Sequence, residues 1–329
     1  MTIGIPRALY HYIYYPMWEK FFNELNIKIA LSPKTNKRIL DLGINYSIDE
    51  ICISIKLFHG HVKYLIDQGV DYIFIPRVLY EEKYKSNCPK LLGLPDLIKD
   101  SLDIQDSKIL SPKIYLNYGS KKSREEMKKI GKIFEKDEKK IDKAIRKSIS
   151  FQKLYESYLY KDYGDTLELY EKLSNLNTLK KKEEDCDLKI GVVGFPYDIY
   201  ESYLNGSLLE KLKKMGAKYI VSNTLYYDKI NSSYDFLSKD LFWHQSNVCL
   251  KSGLYFLKNK KIDGVITLSC FGCGLSSIYT KLLDIFNEER TRKPLMHIVI
   301  DEHTGEAGII TRLEAFIDLL RIKKGAGYV

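Results

Sequence analysis

The stretch that decides the fold is Lys261–Tyr279, KIDGVITLSCFGCGLSSIY. Its apolar, β-rich beginning, Ile262–Leu268, predicts a buried strand. The Gly-rich turn SCFGCG follows with Cys270 and Cys273, and a helical pattern begins directly after it. Two thiols are therefore predicted at the carboxyl end of a strand, facing a helix N-terminus. Open α/β sheets bind ligands there, and the helix dipole favours thiolate over thiol. We interpret this turn as part of a metal–sulfur site.

Length and composition describe an ordinary globular chain. Its 329 residues are enough for two domains, and 45% hydrophobic with 29% charged residues is typical of soluble proteins. We find neither the pattern of a signal peptide nor an apolar run of roughly 18–20 residues, so we expect a cytoplasmic protein without a membrane partner. Six cysteines in a reducing compartment indicate metal or redox chemistry rather than a disulfide framework.

The net charge of +9 does not indicate a nucleic-acid partner. Many of the lysines fall between Lys121 and Lys182, in helix-periodic sequence mixed with glutamate. This pattern is typical of a solvated helix face, and no RNA- or DNA-binding motif accompanies it. We therefore expect no nucleic acid among the partners.

The order of predicted elements indicates two α/β domains. We predict an N-terminal α/β domain over residues 1–120, a charged helical connector over 121–187 and a C-terminal α/β domain over 188–329. The second domain repeats the layout of the first, since Lys189–Val193 leads to a Gly-Phe-Pro turn as Ile3–Ile5 leads to Pro6. Strands that alternate with helices favour parallel sheets, and we expect a ligand cleft between the domains at the carboxyl ends of the strands.

Four cysteines lie on predicted loops at strand or helix ends. Cys52 and Cys88 come from the first domain, and Cys270 and Cys273 come from the second. Thiols on facing loops of two domains suit an iron–sulfur cluster, which needs soft thiolate ligands and tolerates ligands far apart in sequence. A lone C-x-x-C pair is equally half of a zinc site or a thioredoxin-like pair. On chemistry alone, iron–sulfur, zinc and no metal all stay open.

The other two cysteines are weaker candidates. Cys186 lies in the charged linker, where a site is not expected. Cys249 lies inside the helical run Trp243–Leu257, where a cysteine is ordinarily a small buried hydrophobe.

Two polar residues follow the predicted strand Leu295–Ile300. Glu302 and His303 should point into the same cleft, as proton donors or as hydrogen-bonding neighbours of the metal ligands. The alternative interpretation is that Glu302 caps the next helix and that His303 is structural.

Basic side chains flank the first-domain thiols. Arg7 and Arg77 are each predicted to end a strand and to balance cluster charge, with ordinary surface arginines as the alternative. Lys56, His59 and His61 lie on the helix predicted after Cys52, and only some of them can face the cleft.

Several long motifs carry a family resemblance over nearly the whole chain except its charged middle. They are IGIPRAL, YYPMW-x-x-FF, C-x-x-x-K-x-x-x-GH, IFIPR, NCP-x-x-x-GLPD, PYDIY, FGCG and IDEHTGEAGIITRLEAF. Together they resemble the family related to the activases of 2-hydroxyacyl-CoA dehydratases. That family is in turn similar to the dehydratase subunits, to benzoyl-CoA reductase subunits and to double-cubane cluster proteins.

The resemblance implies a fold, a cofactor and partners. The implied fold is two flavodoxin-like, doubly wound parallel-sheet domains with a helical connector. The implied cofactor is an iron–sulfur cluster, 4Fe-4S or double-cubane, that accepts low-potential electrons from an ATP-dependent activase carrying its own cluster. The resemblance also implies an anaerobic, oxidoreductase-type protein. Its implied reaction is reduction or dehydration of a small molecule or acyl-CoA. A homodimer is one assembly state that it allows.

Carried over to this chain, the resemblance makes Cys52, Cys88 and Cys273 the cluster ligands. Cys270 stands where the family pattern has another residue, so it is either an extra ligand or a neighbour, and Ser54 stands where a proline is frequent. Three thiolates would leave one iron open to substrate, whereas four would favour pure electron transfer.

The chain lacks the phosphate-binding motif G-x-x-x-x-G-K-[ST] of many ATPases. We therefore predict the electron-accepting partner rather than the ATPase. The alternative is a non-catalytic module for electron transfer or structural zinc binding.

Overall fold

The computed structural model describes residues 1–79, 85–115, 117–162, 186–225 and 236–325. It divides into two compact units, unit 1 (Met1–Ser157) and unit 2 (Tyr158–Val329). The predicted connector 121–187 begins with two helices, and its stretch 163–185 lies outside the described residues. No described helix combines the length and apolar character that a membrane-spanning segment needs.

Unit 1 alternates strands and helices along its first half. Its strands are β1 (Thr2–Ile5), β2 (Lys28–Leu31), β3 (Tyr72–Phe74), β4 (Arg77–Leu79), β5 (Ile109–Leu110) and β6 (Lys113–Tyr115). Its helices are α1 (His11–Glu24), α2 (Lys37–Asn45), α3 (Ile53–Asp67), α4 (Pro89–Leu92), α5 (Leu94–Leu102), α6 (Lys121–Phe134) and α7 (Glu138–Asp162), the last of which runs past the end of the unit. A short 3-10 helix, Asp106–Lys108, precedes β5.

The described part of unit 2 has the same alternation. Its strands are β7 (Leu188–Val193), β8 (Ala217–Val221), β9 (Gly264–Cys270) and β10 (Leu295–Ile300). Its helices are α8 (Pro196–Ile199), α9 (Leu208–Lys214), α10 (His244–Lys258), α11 (Gly274–Phe286) and α12 (Glu306–Gly325). A 3-10 turn, Ser222–Thr224, follows β8, and a π-helical turn, Asn287–Thr291, follows α11.

The two main sheets share one topology. Among the described residues, unit 1 forms a four-stranded parallel sheet in the order β2-β1-β3-β5, and unit 2 forms one in the order β10-β9-β7-β8. When the four strands of each main sheet are numbered in chain order, both sheets have the order 2-1-3-4. The flavodoxin-like α/β fold class is therefore confirmed, and the similar layout of the two halves extends to strand order.

Strand β9 is the central buried strand that the opening stretch predicted, and every one of its residues is buried. It ends two residues later than predicted, so Cys270 is the last strand residue and does not lie on the turn. The physical reason is pairing with the edge strand β10, which matches Ile300 with Cys270 and accepts the Phe271 N–H at the Ile300 carbonyl (2.8 Å).

Helices α2 and α3 touch backbone to backbone through two glycines. A Cβ atom added to Gly43 would lie 2.2 Å from the Lys56 carbonyl oxygen, and one added to Gly60 would lie 2.0 Å from the Ile39 carbonyl oxygen. Only glycine permits this approach. As a result α3 is buried over most of its circumference, including the side chains of Lys56, His59 and His61.

Candidate functional site

Unit 2 places a thiol against a carboxylate at the point where its strand order reverses, next to β7 and β9. Asp198, in the short helix after β7, is 1% exposed, and Cys270, at the end of β9, is 5% exposed. The Cys270 Sγ donates a hydrogen bond to the Asp198 Oδ1 at 3.2 Å. Because this bond uses the thiol proton, the geometry favours Cys270 in its neutral form.

Cys273 occupies the N-cap position of α11. Its N–H donates to the Cys270 carbonyl at 3.2 Å, and Gly272 permits the turn between them with a φ of 69°. Cys273 is half-buried, whereas the neighbouring Phe271 is 70% exposed. The N-terminus of a 13-residue helix favours a thiolate at Cys273.

Cys249 belongs to the same neighbourhood, although its sequence position suggested only a small buried side chain. It is buried in α10, and burial raises the pKa of its thiol, with the negative charges of Asp198 and Cys273 raising it further. Burial raises the pKa of Tyr279, with Cys249 and then Asp198 raising it further. The Tyr279 hydroxyl donates to the Leu268 carbonyl at 3.2 Å. Unit 2 therefore collects several thiols around one buried carboxylate.

In unit 1, Cys52 and Cys88 are also N-cap residues, of α3 and α4 respectively. Both are half-buried. The buried side chain of Asn87 supports Cys88, because its Oδ1 accepts the Cys88 N–H at 2.9 Å and its Nδ2 donates to the Tyr10 hydroxyl and to the Val78 carbonyl. Burial raises the pKa of Tyr10, and the Asn87 bond lowers it in part.

Asn87, Tyr10 and Asp198 were not predicted as site residues. Two of them lie within quoted motifs, since Asn87 begins NCP-x-x-x-GLPD and Asp198 lies in PYDIY. The available signal was position: Asp198 follows β7 as Cys270 ends the neighbouring β9. The contacts themselves depend on strand pairing, which no local pattern specifies.

Cysteines are the ligand type that an iron–sulfur cluster requires, and the described part of the chain contains no preassembled metal-binding group. Among the residues that the structure describes, no three His, Cys, Asp or Glu side chains gather as a metal site. None of the six cysteines forms a disulfide. Cys52, Cys88 and Cys273 are all partly exposed N-cap residues, and the long helices that follow Cys52 and Cys273 favour the thiolate form there.

Glu302 and His303 lie in the turn after β10. Asp301 organises this turn, because its Oδ1 accepts from the His303 N–H (2.9 Å) and from the Thr304 hydroxyl (2.8 Å). His303 is exposed and Glu302 is half-buried. Helix α12 begins only at Glu306, so Glu302 does not occupy its N-cap position. The turn lies at the carboxyl edge of the sheet, beside the strand that ends in Cys270.

The two arginines have different environments. Arg77 begins β4 and does not end a strand, which corrects the prediction, and its guanidinium pairs with Asp96 at 2.8 Å. Its charge is therefore already balanced. Arg7 follows β1 as predicted, with its N–H donating to the Ser32 Oγ (2.7 Å) and its Nε donating to the Ser32 carbonyl (3.1 Å).

These features define a class of protein: an α/β chain of two compact units, each built on a flavodoxin-like parallel sheet, with cysteines at helix N-termini. The chain belongs to the family described as CoA enzyme activase uncharacterised domain (DUF2229), whose model matches residues 2–225. This membership relates it to the activases of 2-hydroxyacyl-CoA dehydratases. The matched range includes Cys52 and Cys88 and ends before Cys270 and Cys273. A search of curated proteins found no match.

Proposed function

We propose that this protein is an iron–sulfur protein that accepts low-potential electrons from an ATP-dependent activase. The electrons would serve the reduction or dehydration of a small molecule or acyl-CoA. The family relationship supports a place in this kind of system, with a dehydratase-type enzyme or activase as partner.

The observation that carries the proposal is the shared environment of Cys52, Cys88 and Cys273. Each is a half-buried N-cap residue, and at Cys52 and Cys273 the positive end of a long helix, α3 or α11, favours the thiolate form that iron requires. We propose these three residues as cluster ligands, as the family resemblance implies. Such a cluster supplies one-electron chemistry, and hydrogen bonds and burial around its ligands tune its potential.

Cys270 is better explained as a neighbour than as a ligand. It is nearly inaccessible, and its thiol proton is engaged by Asp198. A buried, hydrogen-bonded thiol next to Cys273 would hold the turn in place. In unit 1, Asn87 holds the backbone at Cys88 in the same way, because its Oδ1 accepts the Cys88 N–H.

Glu302 and His303 are proposed as proton donors rather than as ligands. Both follow the strand paired with β9 and lie at the sheet edge near Cys270. Proton supply beside an electron-accepting centre suits reduction and dehydration alike. Replacing either residue should therefore leave the iron content unchanged.

The test is anaerobic purification followed by iron and sulfide analysis and absorption spectroscopy. Wild-type protein should be brown, absorb broadly near about 400 nm and contain about four irons for a single cubane. Cys273→Ser should abolish this iron, because serine supplies no soft thiolate. Cys270→Ser and the matched control Cys186→Ser should retain it.

Three outcomes would contradict the proposal. Colourless anaerobic protein with stoichiometric zinc would support a structural zinc module instead. Equal iron loss in Cys186→Ser and Cys273→Ser would remove the assigned ligand set. Full iron in Cys273→Ser would do the same.

A further inference from the structure

A second polar cluster lies in unit 1, beyond the ends of β1 and β2. It consists of Arg7, two imidazoles on separate helices, His11 at the start of α1 and His61 within α3, and Thr35. His11 is 4% exposed and His61 is fully buried. Buried imidazoles of this kind need hydrogen-bond partners, because an unsatisfied buried polar atom is costly.

Each imidazole has one nitrogen that the described residues leave unsatisfied. The His61 Nε2 lies 3.0 Å from the Thr35 Oγ1, but its Nδ1 is buried and has no hydrogen-bond partner. The His11 Nδ1 is in the same situation. Orphaned buried nitrogens are rare in native proteins, and a bound ligand or an ordered water ordinarily satisfies them.

The positive charge of Arg7 acts on both histidines. Burial lowers the pKa of His11 well below its usual value, and the positive charge of Arg7 lowers it further. Burial likewise lowers the pKa of His61 to about 3, with Arg7 again contributing. The three side chains therefore form one electrostatically coupled group.

The positive charge of Arg7 has no carboxylate partner among the described residues. Its Nε bonds to the Ser32 carbonyl, which leaves the terminal nitrogens of the guanidinium for other acceptors. The carboxylate of Glu19 on α1 accepts from the Tyr15 hydroxyl at 2.8 Å, and burial raises the pKa of this carboxylate. An ion pair with Arg7 would lower the pKa of the Glu19 carboxyl instead, so Glu19 does not neutralise Arg7.

We propose that Arg7, His11 and His61 form a binding site for a small oxyanion, a phosphate or carboxylate group. The guanidinium supplies charge and paired N–H donors, and each histidine supplies an Nδ1–H donor. In this tautomer the His61 Nε2 accepts the Thr35 hydroxyl proton. The site lies at the sheet edge where α/β folds bind ligands, and the glycine contact between α2 and α3 holds His61 in position.

This site is independent of the proposed iron centre. All of its residues belong to unit 1, and none of them is a cysteine or requires a metal. A failure here would leave the iron–sulfur proposal intact, and the absence of iron would leave anion binding intact.

The experiment is isothermal titration calorimetry of the full chain at low ionic strength, with inorganic phosphate in one arm and acetate in the other. Saturable binding of phosphate alone identifies a phosphoryl site, and saturable binding of acetate alone identifies a carboxylate site. Arg7→Gln should weaken binding about tenfold or more, since it removes a charge-assisted pair of hydrogen bonds.

Arg38→Gln is the matched control, because Arg38 is exposed on α2 and the change in net charge is the same. It should leave binding unchanged.

Two further variants separate the ring nitrogens of His61. His61→Asn keeps an amide near the Nδ1 position and should retain binding, whereas His61→Gln keeps the contact to Thr35 and should lose it. Should Arg7→Gln fail to fold by circular dichroism, the His61 pair decides the question.

Two results would overturn the proposal. Wild-type protein that binds neither anion saturably would mean that only water satisfies the buried nitrogens. Equal weakening by Arg7→Gln and Arg38→Gln would mean that the anions respond to net charge rather than to a site.

Discussion

His61 shows at the residue scale how burial links function to stability. Its folded-state pKa is lowered to about 3, whereas an unfolded-chain histidine titrates near 6.5. Between these values the unfolded state binds more protons, so this group's contribution to stability is complete above about pH 6.5 and is lost as the pH falls towards 3. Complete loss would correspond to at most about 5 kcal/mol.

We predict that His61→Gln reduces this acid sensitivity. Glutamine keeps the contact to Thr35 but does not titrate, so the fall in unfolding free energy between pH 6.5 and 4.5 should be smaller than in wild type by about 2 kcal/mol. Urea unfolding in buffers without phosphate or carboxylate measures the unfolding free energy at both pH values. His303→Gln is the control, since His303 is exposed, and it should behave as wild type. Identical pH dependence in His61→Gln and wild type would contradict the prediction.

At the element scale, the contact between α2 and α3 sets the position of both Cys52 and His61. Cys52 is the N-cap of α3 and His61 lies within the same helix, so a displaced α3 disturbs both proposed sites. The contact depends on Gly43 and Gly60, where the backbones approach too closely for any Cβ atom.

We predict that Gly60→Ala destabilises unit 1 by about 3 kcal/mol or more, because its Cβ would overlap the Ile39 carbonyl oxygen. Thermal unfolding followed by circular dichroism measures the loss. Gly308→Ala in α12 is the matched control, since no atom lies within 4 Å of its added Cβ. There alanine should be neutral or stabilising by up to about 1 kcal/mol, because it favours helix. A Gly60→Ala protein that unfolds at the wild-type temperature would refute the close contact.

At the scale of the whole molecule, the proposed cluster ligands are divided between the two units. Each unit has its own parallel sheet and core, and we expect fragments 1–162 and 186–329 to unfold cooperatively by themselves. Neither fragment should hold iron, because Cys52 and Cys88 are on the first and Cys273 is on the second. The measurement is anaerobic iron and sulfide reconstitution of each fragment beside the full chain. Full iron loading of one fragment would show that its own cysteines suffice.

Local pattern predicted much of the fold. The alternation of apolar runs and helical periods located β1, β7, β9 and β10, and the motif FGCG located the turn before α11. Patterns of this kind depend on the period of the backbone, which is a local property. End points were less certain, as the extension of β9 to Cys270 shows, because strand length depends on the neighbouring strand.

The sequence by itself determined the α/β class, the position of Cys52, Cys88 and Cys273 at element ends, and the family. Only the tertiary structure decided that Cys270 faces Asp198, that Cys249 shares their environment, and that the charge of Arg7 acts on His11 and His61. Apart from Arg7 and His11, these partners are separated along the chain by tens of residues, and strand order and helix packing bring them together. Hydrogen bonding and burial act over a few ångströms in space, whereas sequence patterns record only what lies within a few turns of the same element.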